Sequence, residues 1–221
     1  MKNILLFSLA SLVFAGCSTT ETNRIIAPIQ VTSATHNYNG VKAVVSVGKF
    51  DNRSNFMNGV FAENVDRLGG QAKVILDTHL QQSGYFSVLN RANLSEMKQE
   101  AGFSGAQQSI KGARYVITGD ITEFGRKDVG DQQFFGVLGR GKTQIAYAKV
   151  LLNVVDVNTS EIIQSGQGAG EYALGEREVL GFGSAASYDS TLNGKVLDLA
   201  IREAIDNLAN SIKNGQWNPQ N

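Results

Sequence analysis

The chain has 221 residues, 20 basic and 20 acidic, for a formal net charge of zero. This excludes a nucleic-acid binder that works through bulk positive charge, and also a polybasic membrane patch or an acidic tail. The apolar share of 42% is enough for the core of one domain. A single cysteine rules out an intramolecular disulfide, and two histidines, His36 and His79, leave little material for a metal site.

Lys2 is the only early charge, and Ile4 to Phe14 is apolar except for Ser8 and Ser11; Ala15-Gly16-Cys17 follows. A short positive region, an apolar core of about 7–15 residues and small residues at its end describe a signal peptide. The run is too short to span a bilayer, which takes about 20 apolar residues. The sole cysteine at the end of this segment resembles the bacterial lipobox. That resemblance implies removal of residues 1–16 and a lipidated, palmitate-bearing Cys17, although Phe14 stands where leucine is usual. The alternative is an ordinary signal peptide with a chance cysteine. Ser18 resembles outer-membrane lipoproteins, where an aspartate would resemble inner-membrane ones. Residues 17–40, rich in Thr, Ser and Asn, read as a tether between lipid and domain.

Val41 to Val47 is β-branched and predicts a strand, followed by a polar loop over Asp51 to Asn58. Ala72, Ile75, Leu76 and Leu80 follow helical spacing and predict a helix over Gly69–Gln82, stopped by Gly84. His79 in this helix reads as a partly exposed residue, with no second ligand near it. Tyr85–Leu89 predicts a short strand, Asn93–Ala101 a helix, and Ala113–Thr118 a buried strand ending at Gly119. Tyr147–Val157 and Ile162–Ser165, joined by Asn158-Thr159-Ser160-Glu161, predict a hairpin. Leu197, Ile201, Ala204, Ile205, Leu208 and Ile212 form one stripe of a C-terminal helix over Lys195–Lys213, with Gly215 after it. Strands mixed with three helices predict an α+β or α/β core. Of the 24 glycines, 13 lie between Gly119 and Gly194, so that segment is not all helix.

Gly136 to Thr143 matches GxxxxGK[ST] literally. A phosphate cradle needs this sequence between a strand and a helix, whereas Gln144 to Val157 is β-branched and has no helix cap. The motif therefore reads as a glycine-rich turn entering a strand, with Lys142 a strand residue, and no nucleotide is expected. Val154-Val155-Asp156 comes too soon after it to serve as the second motif of a nucleotide site. No GxSxG elbow is present, and Glu176 and Glu178 around Arg177 read as a solvated turn, so the chain is expected not to be an enzyme.

Gly84 to Arg91, the helix ending at Glu100, Gly112 to Phe124, Val150 to Ile162, and a C-terminal helix ending in Trp217 stand in an order that resembles the curli secretion channel family of outer-membrane lipoproteins. The likeness runs over residues 41–217. It implies an α+β fold: an α/β periplasmic core with three main helices, and two glycine-rich β-hairpins contributed to an oligomeric transmembrane β-barrel. It further implies a homo-oligomeric ring in the outer membrane, lipid-anchored, with its core in the periplasm. Such a ring exports unfolded amyloid subunits with the help of accessory secretion proteins and without nucleotide hydrolysis, cofactor or metal.

The hairpins are expected at 124–147 and 166–188. A barrel strand takes about 9–11 residues that alternate lipid-facing apolar with lumen-facing polar positions. Ile145 and Tyr147, Tyr172 and Leu174, and Leu180, Phe182 and Tyr188 are the candidate lipid-facing residues, with Gly166, Gly168 and Gly170 on the same face as Tyr172. Residues 175–178 are the expected turn, and Tyr147, Tyr172, Tyr188, Phe134 and Phe135 the interfacial aromatics. The segment from Phe124 to Val129 fits poorly, since Arg126 and Asp128 share a face with Phe124. The largest known barrel has about 36 strands, which four-stranded protomers reach with nine copies. The family narrows its pore with a tyrosine, an asparagine and a phenylalanine after the first strand. The matching places hold Gly59, Glu63 and Asn64 here, so Phe61 and Asn64 are the candidate constriction residues and the cargo is open. The alternative is a periplasmic-facing adaptor lipoprotein with long soluble hairpins, which binds a peptidoglycan synthase or flagellar part without forming a pore.

Overall fold

The computed structural model describes residues 38–56, 66–132, 140–177 and 191–219. They form a five-stranded mixed sheet with three helices. In chain order these are β1 (Ala43–Asn52), α1 (Arg67–Ser83), β2 (Phe86–Leu89), α2 (Leu94–Phe103), β3 (Tyr115–Gln132), β4 (Arg140–Asp156), β5 (Ile162–Arg177) and α3 (Thr191–Lys213). The sheet order is β2-β1-β3-β4-β5. β1 pairs in parallel with β2 and β3, which requires crossovers, and α1 and α2 lie on them. β3, β4 and β5 are antiparallel neighbours.

Helix α1 starts where Asp66 accepts from the Gly69 N–H (2.7 Å) through one oxygen and from the Asn52 N–H (2.6 Å) through the other. One carboxylate thus caps the helix and ties it to the end of β1. Gly84, at φ 78°, ends it in the left-handed conformation. Ala72, Leu76 and Leu80 are fully buried, the i, i+4, i+8 spacing the sequence predicts. Along α3, Val196, Leu197, Ala200, Ile201, Ala204, Ile205 and Leu208 are buried to within 1%. Full burial is worth about 1.5–3 kcal/mol for each leucine or isoleucine. After Gly215 (φ 72°) the chain turns back, and Trp217 packs edge-on to Tyr115 at 5.4 Å and beside Phe86 at 6.1 Å.

Several boundaries differ from the sequence-based expectation. β1 runs on to Asn52, past the expected loop start, with an irregularity between Val47 and Phe50. β3 does not end at Gly119 but passes through it. The Phe50 ring occupies the space that a Cβ at 119 would take, so glycine here serves packing and not a stop. Residues 175–177 are strand, paired with β4, where a turn was expected. The β4–β5 turn is as expected: Asp156 accepts from the Asn158 and Thr159 N–H groups at 2.8 and 3.2 Å, and Ser160 takes φ 62°.

Tyr38, at the end of the predicted tether, stacks on Tyr85 at 4.3 Å and donates to the Val41 carbonyl at 3.3 Å. His79 corrects its expectation: it is buried, 8% exposed, and its Nε2 meets Asp198 Oδ1 on α3 at 2.6 Å. Residue 79 falls one position before Leu80 on the stripe that faces α3, so the apolar pattern swept a polar side chain into the seam.

Candidate functional site at the strand extension

The β3–β4 pairing runs from Tyr115↔Asp156 to Gln132↔Arg140, and β4 pairs with β5 from Val155↔Ile162 to Gly141↔Arg177. β1 leaves this sheet at Asn52↔Ile121. Beyond that level three strands continue alone. The stretch Phe124–Gln132 pairs with Arg140–Ala148, in the span where the first hairpin is expected. Nine paired residues from Phe124 to Gln132 fall within the span of a membrane strand. Among the described residues no strand pairs with β3 beyond Ile121 or with the outer edge of β5.

On β5, Gly166, Gly168 and Gly170 face α3. A Cβ on Gly166 would reach the Ala204 carbonyl at 2.7 Å, and one on Gly168 or Gly170 would collide with the carbonyl of Ala200 or Val196. The glycine row therefore lets Val196, Ala200 and Ala204, one helical turn apart, ride against the strand. It is a helix seat and not a lipid-facing face. Two α3 side chains reach past the seat to the strand's outer edge. Glu203 accepts from the Ala169 N–H at 2.6 Å, and Asn207 donates to the Gln167 carbonyl at 2.7 Å.

The register also divides the candidate lipid-facing residues. Ile145 pairs with Lys127 and Ala173, and Tyr147 with Gly125 and Glu171, whereas Tyr172 pairs with Ala146 and Leu174 with Gln144. Directly paired residues share a face. Ile145 and Tyr147 thus lie on the face away from α3, and Tyr172 lies on the α3 side. The two tyrosines are on opposite faces of the sheet, because side chains alternate along each strand.

At the foot of the extension both faces carry an aromatic with a cation. On the helix side, the Lys195 ammonium sits 4.0 Å from the Tyr172 ring centroid, and an Arg126 terminal nitrogen donates to Asn193 Oδ1 at 2.7 Å. On the other side, the Tyr147 ring covers Gly125. Lys127 lies 6.0 Å from that ring and 3.8 Å from the Glu171 carboxylate. Lys127 and Lys195 were not singled out from sequence, and Arg126 only as a charge on the face of Phe124. The signal for them was the basic residue one or two places from each glycine or tyrosine.

Cys17, Phe61, Asn64, Leu180, Phe182 and Tyr188 lie outside the described residues, as do Phe134 and Phe135. Of the P-loop-like sequence, Gly141, Lys142 and Thr143 are in strand β4, paired on both sides. No helix follows them, so they do not form a phosphate cradle. No group of metal-binding side chains occurs among the described residues, and no described helix is long and apolar enough to cross a membrane.

The sequence model of the curli production assembly/transport component CsgG matches residues 26–221. The chain belongs to the CsgG family. It is 60% identical over 210 residues to a protein of Neisseria meningitidis serogroup B, NMB1126/NMB1164, whose name describes a lipoprotein; the match covers 95% of this chain and 94% of that one. Among solved structures, it is similar to the PelC dodecamer of Paraburkholderia phytofirmans (17% identity, 74% of this chain and 86% of that one, TM-score 0.35). It is also similar to lipoprotein GNA1162 of Neisseria meningitidis (18% identity, 78% of this chain and 99% of that one, TM-score 0.35). Both structural likenesses are distant.

Proposed function

We propose that this CsgG-family protein is a lipid-anchored outer-membrane subunit of a homo-oligomeric secretion channel that exports unfolded, curli-like polypeptide without chemistry of its own. The observation that carries this reading is the three-stranded extension, which leaves the helices behind with both long edges unpaired among the described residues. Long open edges invite pairing with another chain. In a bilayer every backbone group must be paired, which only closure into a barrel achieves for strands. Three strands cannot close alone, so the reading calls for a ring of copies. With four strands per copy, as the family resemblance implies, nine copies would give a barrel of about 36 strands. Cys17 would hold each copy to the membrane while the sheet and helices stay in the periplasm.

Particle size and single-channel current test it. The detergent-extracted, full-length protein is expected to run as a large ring and to conduct in a planar bilayer. Cys17→Ser is expected to lose lipid labelling. A monomer without current would overturn the channel reading. That result would favour an adaptor lipoprotein, a reading which one observation supports: α2 buries no residue, and Phe103 (74% exposed) and Met97 (37% exposed) stand open on it.

A further inference from the structure

We infer that the two faces of the strand extension have different surroundings: the face of Tyr147 and Ile145 meets the acyl chains of the bilayer, and the face of Tyr172 meets the aqueous lumen. This inference rests on the channel reading and settles which side of each strand lines the pore.

The helices decide the lower part. α3 is seated on Gly166, Gly168 and Gly170 and reaches Tyr172 through Lys195. No bilayer can approach that side at the foot of the extension. Because the strands are continuous, the side chains that follow at every second residue stay on this side. The register brings Arg126 to it, held to Asn193 of α3, beside the Lys195 ammonium. Two cations on one face are costly to place in hydrocarbon.

The opposite face is free of α3, and Tyr147, Ile145 and Ala173 lie on it. Its charges at the foot are a mutual pair, Lys127 with Glu171, beside the Tyr147 ring. Tyr147 with Lys127 suits a membrane–water boundary, where the ring lies at headgroup level and the ammonium reaches water, whereas the cation over Tyr172 comes from α3, which occupies that side.

The test uses the full-length protein reconstituted in phosphatidylcholine vesicles with brominated acyl chains. Trp217 is the chain's one tryptophan, so Tyr147→Trp and Tyr172→Trp are each made with Trp217→Phe. Tyr147→Trp is expected to lose most of its emission to the brominated lipid and Tyr172→Trp little, with the order reversed for iodide in the aqueous phase. As a second readout in the otherwise unaltered protein, Tyr172→Cys is expected to lose current on addition of a charged thiol reagent, and Tyr147→Cys to keep it. Lipid quenching of Tyr172→Trp in preference to Tyr147→Trp, or current block at Tyr147→Cys alone, overturns the assignment. Equal behaviour of the two sites in a protein that conducts overturns the assignment and leaves the channel standing. Absence of current from the unmutated protein removes both.

Discussion

Gly168 on β5 lies against the main-chain carbonyl of Ala200 on α3, closer than a side chain would permit. The obstacle is helix backbone, flanked by the Ala204 amide, so no rotamer change relieves it. Gly168→Ala is expected to destabilise the fold by about 3 kcal/mol or more, the upper end of overpacking costs. Gly112→Ala is the control, since a Cβ there meets nothing within 4 Å, and its effect should stay within about 0.5 kcal/mol. Urea unfolding of the two variants measures the difference.

The His79–Asp198 contact joins α1 to α3 with the imidazole buried and the carboxylate side chain 30% exposed. Asp198→Ala leaves a buried ring nitrogen without its partner, at a cost of about 1–3 kcal/mol. Asp198→Asn retains a hydrogen bond and should lose less. A double-mutant cycle with His79→Leu checks the assignment: part of the Asp198→Ala loss should disappear once the histidine is gone.

Trp217 is 5% exposed, and its indole Nε1 has no hydrogen-bond partner among the described residues. Its contribution is therefore packing on Tyr115 and Phe86. Trp217→Phe removes the unpaired donor and keeps a ring, so a change under about 1.5 kcal/mol is expected. Trp217→Ala should cost about 3–5 kcal/mol. Thermal unfolding would contradict this account if the two substitutions were equally damaging.

Burial pushes the Asp77 carboxyl above the usual aspartate range, and Lys73 one turn earlier opposes it only in part. An acid whose folded pKa is raised stabilises the fold fully below its unfolded pKa, and this contribution is lost as pH rises through the raised value. Stability should thus fall across that acid window. Asp77→Asn should flatten this slope and leave the protein slightly more stable at neutral pH, as read from unfolding midpoints over a pH series.

The three helices and the succession of strands along the chain were legible in the sequence, and helical stripes such as Leu197, Ile201, Ala204 and Ile205 report burial directly; the order of strands within the sheet was not. Strand ends were less so. Gly119 looked like a terminus, but its role is to admit the Phe50 ring, a partner 69 places away along the chain. The row Gly166, Gly168, Gly170 showed its period of two without showing what lay against it. Val196, Ala200 and Ala204, small and spaced by one turn, were the complementary half of that signal. The face of Tyr172 was not legible for the same reason: alternation within one strand does not say which side its neighbour shares, and only the pairing Tyr172↔Ala146 supplies that. Polar residues such as Glu203 and Asn207 carried no periodic signature at all, since their work is on the backbone of another element.

Glu203 and Asn207 have one more effect. They hold the outward N–H of Ala169 and the outward carbonyl of Gln167, the groups a neighbouring strand would need. Any strand added to β5 therefore begins its ladder above Ala169, with the helix acting as a stop against which it comes to rest. In a sheet a slip of one residue turns every side chain to the wrong side. In the proposed ring such an error would recur at each junction, and a fixed starting height would let identical copies join in one register without a separate template.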